Sequence, residues 1–236
     1  MEIVISEKEN NARYIAYVFT SLQPLLEACG AKSAFSFDGD RIFLKIAAEE
    51  KYETYLRRFA EEKIAEVIAV GYKYEYFRRT LSPAGLRGGE REILLAALIS
   101  ADFADDKRYA FARLRGAKIY TVDGFFAFRL SSLAEKWRGV AECVPAYFTS
   151  EKLAAFMGYI MREDAGGKVI VRGAEIFDGK YHKLRRATLI EEGVSDMNGI
   201  REIILSGAQE VECVGSPSPG QEDFLKKYFA GRVRFT

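Results

Sequence analysis

The segment IYTVDGFFAFRL, residues 119–130, is the one around which the predicted fold is organised, because a basic stretch ends and a helix begins there. Asp123 is the predicted N-cap, since its carboxylate can accept hydrogen bonds from the first free backbone N–H groups. Val122 is the apolar residue expected to pack back on the first turn. We therefore expect one long amphipathic helix, the buried spine of a central helical region. Its apolar stripe recurs at helical spacing and comprises Phe126, Leu130, Leu133, Trp137, Val140 and Val144.

Part of this segment resembles a known family. The run DGFFAFRL (123–130) is similar to the signature of the YtxC-like sporulation proteins of spore-forming Firmicutes, in which an aspartate-glycine-aromatic start leads through Phe-Arg-Leu into a long helix. The segments EREILLAALISADF (90–103) and EKLAAFMGYIMRED (151–164) fit the same layout, so the resemblance covers roughly residues 65–236. The run Arg-Glu-Asp-Ala-Gly-Gly after Met161 departs from the helix with which the relatives continue.

What the resemblance implies is a cellular setting, because the family has no established activity. It implies an accessory role in sporulation, with another protein of the sporulation programme as the partner. It also marks six signature residues whose expected role is structural: Asp123, Gly124, Phe125, Phe128, Arg129 and Leu130.

Composition excludes several classes of protein. The 236 residues are 49% hydrophobic and 29% charged with a formal net charge of +1, which gives no overall attraction to nucleic acid or membrane. The three cysteines form no CxxC pair, which favours free thiols in a reducing compartment. The N-terminus lacks a secretory signal, and the apolar run ILLAALI (93–99) is far shorter than the ~20 residues that span a bilayer. We expect a cytoplasmic protein without a membrane span.

Periodicity and turn residues predict an α+β protein with three regions. Residues 1–82 form an N-terminal β-α-β-β-α region, and residues 90–164 form a central antiparallel helical bundle. Residues 168–236 form a C-terminal α/β region with a β-hairpin and a mixed sheet. The segment SPAGLRGG (82–89) separates the first two regions, and Ala165-Gly166-Gly167 separates the last two.

Within these regions, local signals predict where elements begin and end. Ser6 and Glu9 match a capping box that starts the first helix, and Pro24 is expected to kink or split that helix. Asp38-Gly39-Asp40 predicts a hairpin turn. Separate helices are expected over 90–103 and 106–115.

Residues that catalyse reactions or bind metals form no recognisable pattern. His182 is the only histidine, so a metal site with two histidines is excluded and a nucleophile would have one imidazole as its base. No GxxxxGK[ST] or GxGxxG run occurs. The sequence therefore assigns no catalytic residue, no metal ligand and no cofactor. An enzyme with a site at the C-terminal α/β sheet edge is left as a third hypothesis.

A basic, aromatic segment is the first of two binding signals. Cations neutralise phosphates and aromatic rings stack on bases, and Tyr109, Phe111 and Tyr120 interleave with the cations of this segment. Aromatic residues at helical spacing usually belong to a core, and three aspartates lie beside the run, so a structural interpretation competes. The candidate contacts to phosphate or nucleic acid are Lys107, Arg108, Arg113, Arg115, Lys118 and Arg129.

The second signal is the loop SPSPG (216–220), which follows a predicted strand and opens a predicted helix. Helix N-termini at the carboxyl ends of strands attract anions, which makes Ser218 and Gly220 a candidate anion site. The alternative is a stiff turn in which Ser218, Pro219 and Gln221 only start the helix.

The leading hypothesis is a non-catalytic binding or scaffolding protein with an accessory role in sporulation. The alternative is a nucleic-acid-binding protein that uses the basic segment 107–129.

Overall fold

The structure, a computed structural model, describes residues 1–117, 119–160, 167–193 and 195–236. Helices take 58% of the described residues and strands 19%, in two mixed sheets, so the α+β class is confirmed. The chain divides into two compact units. Unit 1 comprises Met1–Tyr72 and Ala104–Arg138, and unit 2 comprises Lys73–Phe103 and Gly139–Thr236. The sequence predicted three regions that follow one another along the chain. Each of the two units instead combines two segments that are separate in the chain.

The elements of the described chain are these. The strands are β1 (Glu2–Lys8), β2 (Lys32–Asp38), β3 (Arg41–Ala47), β4 (Ile119–Thr121), β5 (Lys168–Arg172), β6 (Glu175–Asp178), β7 (Glu210–Cys213) and β8 (Val233–Phe235). The helices are α1 (Ala12–Ala28), α2 (Glu53–Glu66), α3 (Lys73–Thr80), α4 (Glu90–Leu114), α5 (Val122–Arg129), α6 (Ser131–Cys143), α7 (Ser150–Ile160), α8 (Asp196–Leu205) and α9 (Pro219–Tyr228). A π-helical segment, Val67–Tyr72, joins α2 to α3.

Unit 1 is built on a four-stranded sheet of order β2-β3-β1-β4, antiparallel except for the parallel pair β1–β4. Alternate residues of a strand point to one face, and Ile3, Ile5 and Leu44 are fully buried on the face that α1 covers. On the same face, the Tyr120 hydroxyl donates a hydrogen bond of 2.8 Å to Glu61 of α2. Apolar alternation and this buried bond fix the sheet against the helices.

The start of the first helix differs from the prediction. The capping box of Ser6 and Glu9 is wrong, because β1 continues to Lys8 and α1 begins only at Ala12. Ser6 is paired with β3 in a seven-residue ladder, and its hydroxyl donates to Thr121 at 3.3 Å, so its backbone is satisfied in the sheet. Pro24 lies inside α1 without dividing it, on an exposed side of the helix.

The predicted spine helix is two helices, because the chain breaks at Leu130, where φ is −121° and ψ is 28°. The burial of the stripe is confirmed at Leu130, Leu133 and Trp137, whereas Phe126, Val140 and Val144 are only partly buried. The helices predicted over 90–103 and 106–115 are instead one, α4. Asp106 does not start a helix, because its buried carboxylate accepts hydrogen bonds from Trp137 Nε1 (2.9 Å) and Lys136 Nζ (2.8 Å).

Unit 2 contains a four-stranded sheet of order β6-β5-β7-β8, in which β5, β7 and β8 are parallel and β6 is antiparallel. The predicted mixed sheet is thus confirmed, and this region contains a β-hairpin, β5–β6, whose turn is Gly173-Ala174. Ser218 forms the predicted capping box with Gln221 at the start of α9. The segment 82–89 is irregular, but Ala84 N–H donates to Ala146 O at 2.8 Å within this unit. Ala165 and Gly166 lie outside the described residues.

None of the helices in the described ranges is long and apolar enough to cross a membrane.

A buried acid lies at the end of β1. Glu7 is fully buried, and its carboxylate accepts a hydrogen bond of 2.6 Å from the Tyr72 hydroxyl and one of 2.8 Å from Lys8 N–H. Burial raises the pKa of Glu7 above its usual 4.5 and outweighs the two hydrogen bonds, which lower it. Folding therefore favours the protonated form of this side chain.

This raised pKa predicts the effect of Glu7→Gln on stability. A pKa that folding raises contributes stability that is fully present below the unfolded value of about 4.5 and is lost as pH rises through the folded pKa. The amide does not ionise, so the free energy of unfolding of the variant, relative to the wild type, should increase over that range. Each unit of pKa difference corresponds to about 1.4 kcal/mol. Urea unfolding at a series of pH values measures this difference, and Glu9→Gln, at an exposed position, is the control. A pH-independent difference for Glu7→Gln would contradict the prediction.

Candidate functional site

Helix α5, which carries the signature run, is attached to the sheet by an ion pair. The prediction that Asp123 caps the helix is wrong, since α5 begins at Val122 and its N-cap residue is Thr121. The Asp123 carboxylate instead accepts two hydrogen bonds from the Arg41 guanidinium at the start of β3, one of them 3.3 Å long. A cationic fork binds a carboxylate more strongly than a neutral N–H does, which explains why Arg41 is the partner. Burial alone would raise the pKa of Asp123, but Arg41 lowers it below the usual 3.8.

The chain between α4 and α5 forms a groove on unit 1. After α4 ends at Leu114, Gly116 adopts a positive φ of 83°, which a residue without Cβ allows, and the chain turns into β4. The groove has a volume of about 520 Å³. We call it the β4–α5 groove, and its lining includes Arg115, Ile119, Thr121, Phe125, Phe128 and Arg129.

Alternation explains why these side chains line the groove. In β4 Tyr120 points into the core, so its neighbours Ile119 and Thr121 point away from it. In α5 Val122 is buried, and the Phe126 ring lies 5.4 Å from Trp137, which leaves Phe128 on another side of the helix. Because Tyr120, Val122 and Phe126 face the core, the side chains on the other sides of β4 and α5 face the groove.

The groove is apolar and cationic. Phe128 is 88% exposed and Ile119 is 61% exposed, which is high for large apolar side chains that line the same groove. Arg115 and Arg129 make no ion pair or side-chain hydrogen bond within the described part of the chain. The described residues of the lining include no carboxylate. An anionic group that enters the groove would meet two guanidinium groups and no opposing acid.

The other basic residues of the predicted segment are engaged inside unit 1. Lys107 Nζ lies 2.7 Å from a carboxylate oxygen of Glu62 and 2.7 Å from one of Glu66. Arg108 pairs with an acid one helical turn away, Asp105, at 2.7 Å. Arg113 lies with its guanidinium carbon 3.5 Å from the centre of the Tyr109 ring. Lys118 lies outside the described residues. Of the five candidate cations that the structure describes, only Arg115 and Arg129 are brought together at the groove.

A second cleft of unit 1, of about 410 Å³, carries mixed charge. Arg108, Arg113 and Lys136 line it together with Asp105 and Asp106. The carboxylates neutralise most of the positive potential that the cations would offer a phosphate. The structure therefore divides the predicted basic segment between a neutralised cleft and the β4–α5 groove.

The candidate anion site at the start of α9 is occupied by a capping box and lies next to a carboxylate. The Ser218 hydroxyl accepts a hydrogen bond of 3.2 Å from Gln221 N–H, and the Gln221 side chain in turn accepts from Ser218 N–H at 3.3 Å. An Asp196 carboxylate oxygen lies 3.0 Å from the position that a Cβ on Gly220 would take. An anion at this helix start would meet a negative charge, so the geometry favours the stiff, capped turn.

A cleft of about 280 Å³ in unit 2 bears on the enzyme hypothesis. Its polar groups mostly bind the surrounding backbone: Ser195 accepts from Asn198 N–H, Thr188 donates to Arg185 O, and Glu202 accepts from Ala187 N–H at 2.6 Å. His182 lies at an exposed turn, 3.1 Å from Asp178. Nowhere among the described residues do three or more histidine, cysteine, aspartate or glutamate side chains come together in a group that could hold a metal ion. The polar side chains of this cleft therefore stabilise the surrounding loops.

The six signature residues separate into two sets. Leu130 is fully buried, Asp123 is ion-paired, and Gly124 lies where a Cβ would approach the Thr121 side chain to 3.3 Å. Phe125 is partly exposed, whereas Phe128 and Arg129 are exposed. The first set supports a structural role, and the second set contributes to the groove.

Sequence reasoning did not identify Ile119 and Thr121 as groove residues. The signal was present, because an alternating triplet with a buried Tyr120 must expose both neighbours on the opposite face. It was missed because the strand has only three residues, and its pairing partner β1 lies more than a hundred positions away in the chain.

We compared the chain with protein-family models, with curated proteins and with solved structures, and none of them matches. The YtxC-like resemblance remains a prediction from residues 65–236.

The attachment of α5 can be tested with Asp123→Asn. A pKa that folding lowers contributes stability that is present above the unfolded value of 3.8 and lost as pH falls through the folded pKa. We expect the variant to lose about 1 kcal/mol at neutral pH, as for a partly exposed ion pair, with the loss shrinking in acid. Chemical unfolding from pH 7 to pH 3 measures it. Asp223→Asn, at an exposed position of α9, is the control. An equal loss at every pH would show that the charge on Asp123 does not matter.

Proposed function

We propose that this chain is a non-catalytic binding protein whose β4–α5 groove receives an acidic segment with apolar side chains from a partner protein. The observation that carries the proposal is an 88% exposed Phe128 beside two arginines, in a groove whose described lining has no carboxylate. Aromatic residues and arginine are enriched in the central contacts of protein interfaces, where an apolar anchor fills a pocket and charges fix orientation.

The charge distribution favours an acidic peptide over nucleic acid. A nucleic-acid site needs several cations that follow the phosphate backbone, and each contact strengthens the dependence on salt. Lys107, Arg108 and Arg113 are engaged with acids or an aromatic ring of the same unit. Two arginines with apolar neighbours suit a short peptide that offers one or two carboxylates between apolar side chains.

The cellular setting follows from the resemblance alone. The signature run 123–130 supports an accessory role in sporulation, and the partner would then be another protein of that programme. The cytoplasm is the compartment that we propose, because Cys29, Cys143 and Cys213 are free thiols.

Binding can be tested with labelled probes of defined chemistry. We expect a fluorescein-labelled peptide of alternating aspartate and leucine to bind, and Phe128→Ser and Arg129→Glu each to weaken binding at least about tenfold, as for a central contact of an interface. Tyr55→Ser removes another highly exposed aromatic ring (76% exposed) from α2 and should leave affinity unchanged. Fluorescence anisotropy measures the dissociation constants.

Two further probes separate the alternatives. A peptide with lysine in place of aspartate should not bind, because Arg115 and Arg129 would repel it. A labelled oligothymidine that binds more tightly than the acidic peptide, with steep salt dependence, would instead support the nucleic-acid function. If no probe binds, the groove is not the binding site.

A further inference from the structure

The free edge of the unit 1 sheet is an unprotected β-strand. All seven residues of β2 are at least partly exposed, and within the described ranges they pair only on one side, with β3. Phe35 is 44% exposed and Phe37 is 65% exposed. Sheet edges are usually protected by charge, proline, bulges or a covering element, but the run SAFSF (33–37) has no charge or proline and its ladder is regular. This edge has the properties of a surface that another strand covers.

The hairpin geometry shows which backbone groups face the open edge. The two-residue turn Gly39-Asp40 makes the adjacent pair Asp38–Arg41 a hydrogen-bonded pair. Hydrogen-bonded and non-hydrogen-bonded pairs alternate along an antiparallel ladder, so the backbone groups of Ser33, Phe35 and Phe37 point away from β3. These three residues can donate to and accept from a further strand.

The charges at the ends of β2 identify the strand that fits. The sequence KSAFSFD begins with Lys32 and ends with Asp38, and both side chains lie on one face, opposite Phe35. If two copies pair antiparallel about a twofold axis at Phe35, Lys32 lies opposite the partner's Asp38 at both ends. In the same register the three outward-facing residues pair with each other, Ser33 with the partner's Phe37 and Phe35 with the partner's Phe35.

We propose that this chain forms a homodimer through β2, with the two strands antiparallel about Phe35 and the two four-stranded sheets joined into one. The contact is self-complementary, as a twofold interface requires. It covers the exposed aromatic rings of β2 and satisfies the outward backbone groups. The dimer is independent of what the β4–α5 groove binds.

A charge-exchange experiment on the full chain tests the strand and its register together. Lys32→Glu places two acids opposite each other at both ends, and Asp38→Lys places two lysines there, so each variant alone should dimerise about tenfold more weakly than wild type. An equimolar mixture of the two variants restores both opposite-charge contacts in the heterodimer. We expect the mixture to regain the wild-type dimer affinity in sedimentation-velocity measurements.

Two further variants separate the interface from general effects on folding. Ser33→Pro removes an outward N–H without breaking the ladder to β3, and it should leave the chain monomeric with an unchanged circular dichroism spectrum. Lys45→Glu makes the same charge change on the neighbouring strand β3, where the side chain is also exposed, and should leave dimerisation intact. A wild-type chain that is monomeric up to high micromolar concentration would overturn the proposal. So would a variant mixture that associates no better than either variant alone.

Discussion

The ion pair between Arg41 and Asp123 constrains the functional surface of unit 1. It joins the start of β3 to the first turn of α5, two positions that are 82 residues apart in the chain. With α5 held there, Val122 and Phe126 face the core, and the rest of the signature run turns to the surface. The exposure of Phe128 is thus a consequence of where the helix is anchored.

Buried polar contacts determine how the cations of the basic segment are used. Glu66 is 2% exposed and accepts hydrogen bonds from Tyr17, Lys63 and Lys107, so Lys107 serves the interior of the unit. A buried carboxylate without such donors would strongly destabilise the fold, so these donors are needed inside the unit and are not available to a ligand. Among the described residues, Arg115 and Arg129, which follow the end of α4, make no such contact with a buried acid. A cation of this segment has a structural role if it lies next to a buried acid, and it is available to a ligand if it does not. Its position along the segment matters less.

The two surfaces of unit 1 that we consider functional have different chemistry. The β4–α5 groove combines apolar side chains with positive charge and suits an acidic partner of different sequence. The β2 edge is neutral at its centre, with opposite charges at its two ends, and therefore complements a second copy of itself. A dimer would present two grooves, so that a partner with two acidic segments could bind with higher apparent affinity than one segment alone.

Local sequence signals predicted those elements whose causes are local. The Gly39 turn, the Ser218–Gln221 capping box and the apolar stripe at Leu130, Leu133 and Trp137 all occur as expected, since turn conformation, capping and periodicity depend on neighbouring residues. The α+β class followed from the same signals. Elements whose partners are distant were predicted wrongly: Ser6 belongs to β1 because β3 pairs with it, and Asp106 lies within α4 because Trp137 and Lys136 bind its carboxylate.

The sequence by itself determined the class of the fold, the main turns and the interval, 107–129, in which a binding surface was expected. Only the tertiary structure decided which residues of that interval face solvent, because burial is set by strands and helices from elsewhere in the chain. Asp123 illustrates the difference. Its local context predicts a helix cap, but the arginine at the start of β3 offers a charged partner, and a charged pair is stronger than a hydrogen bond to a neutral N–H.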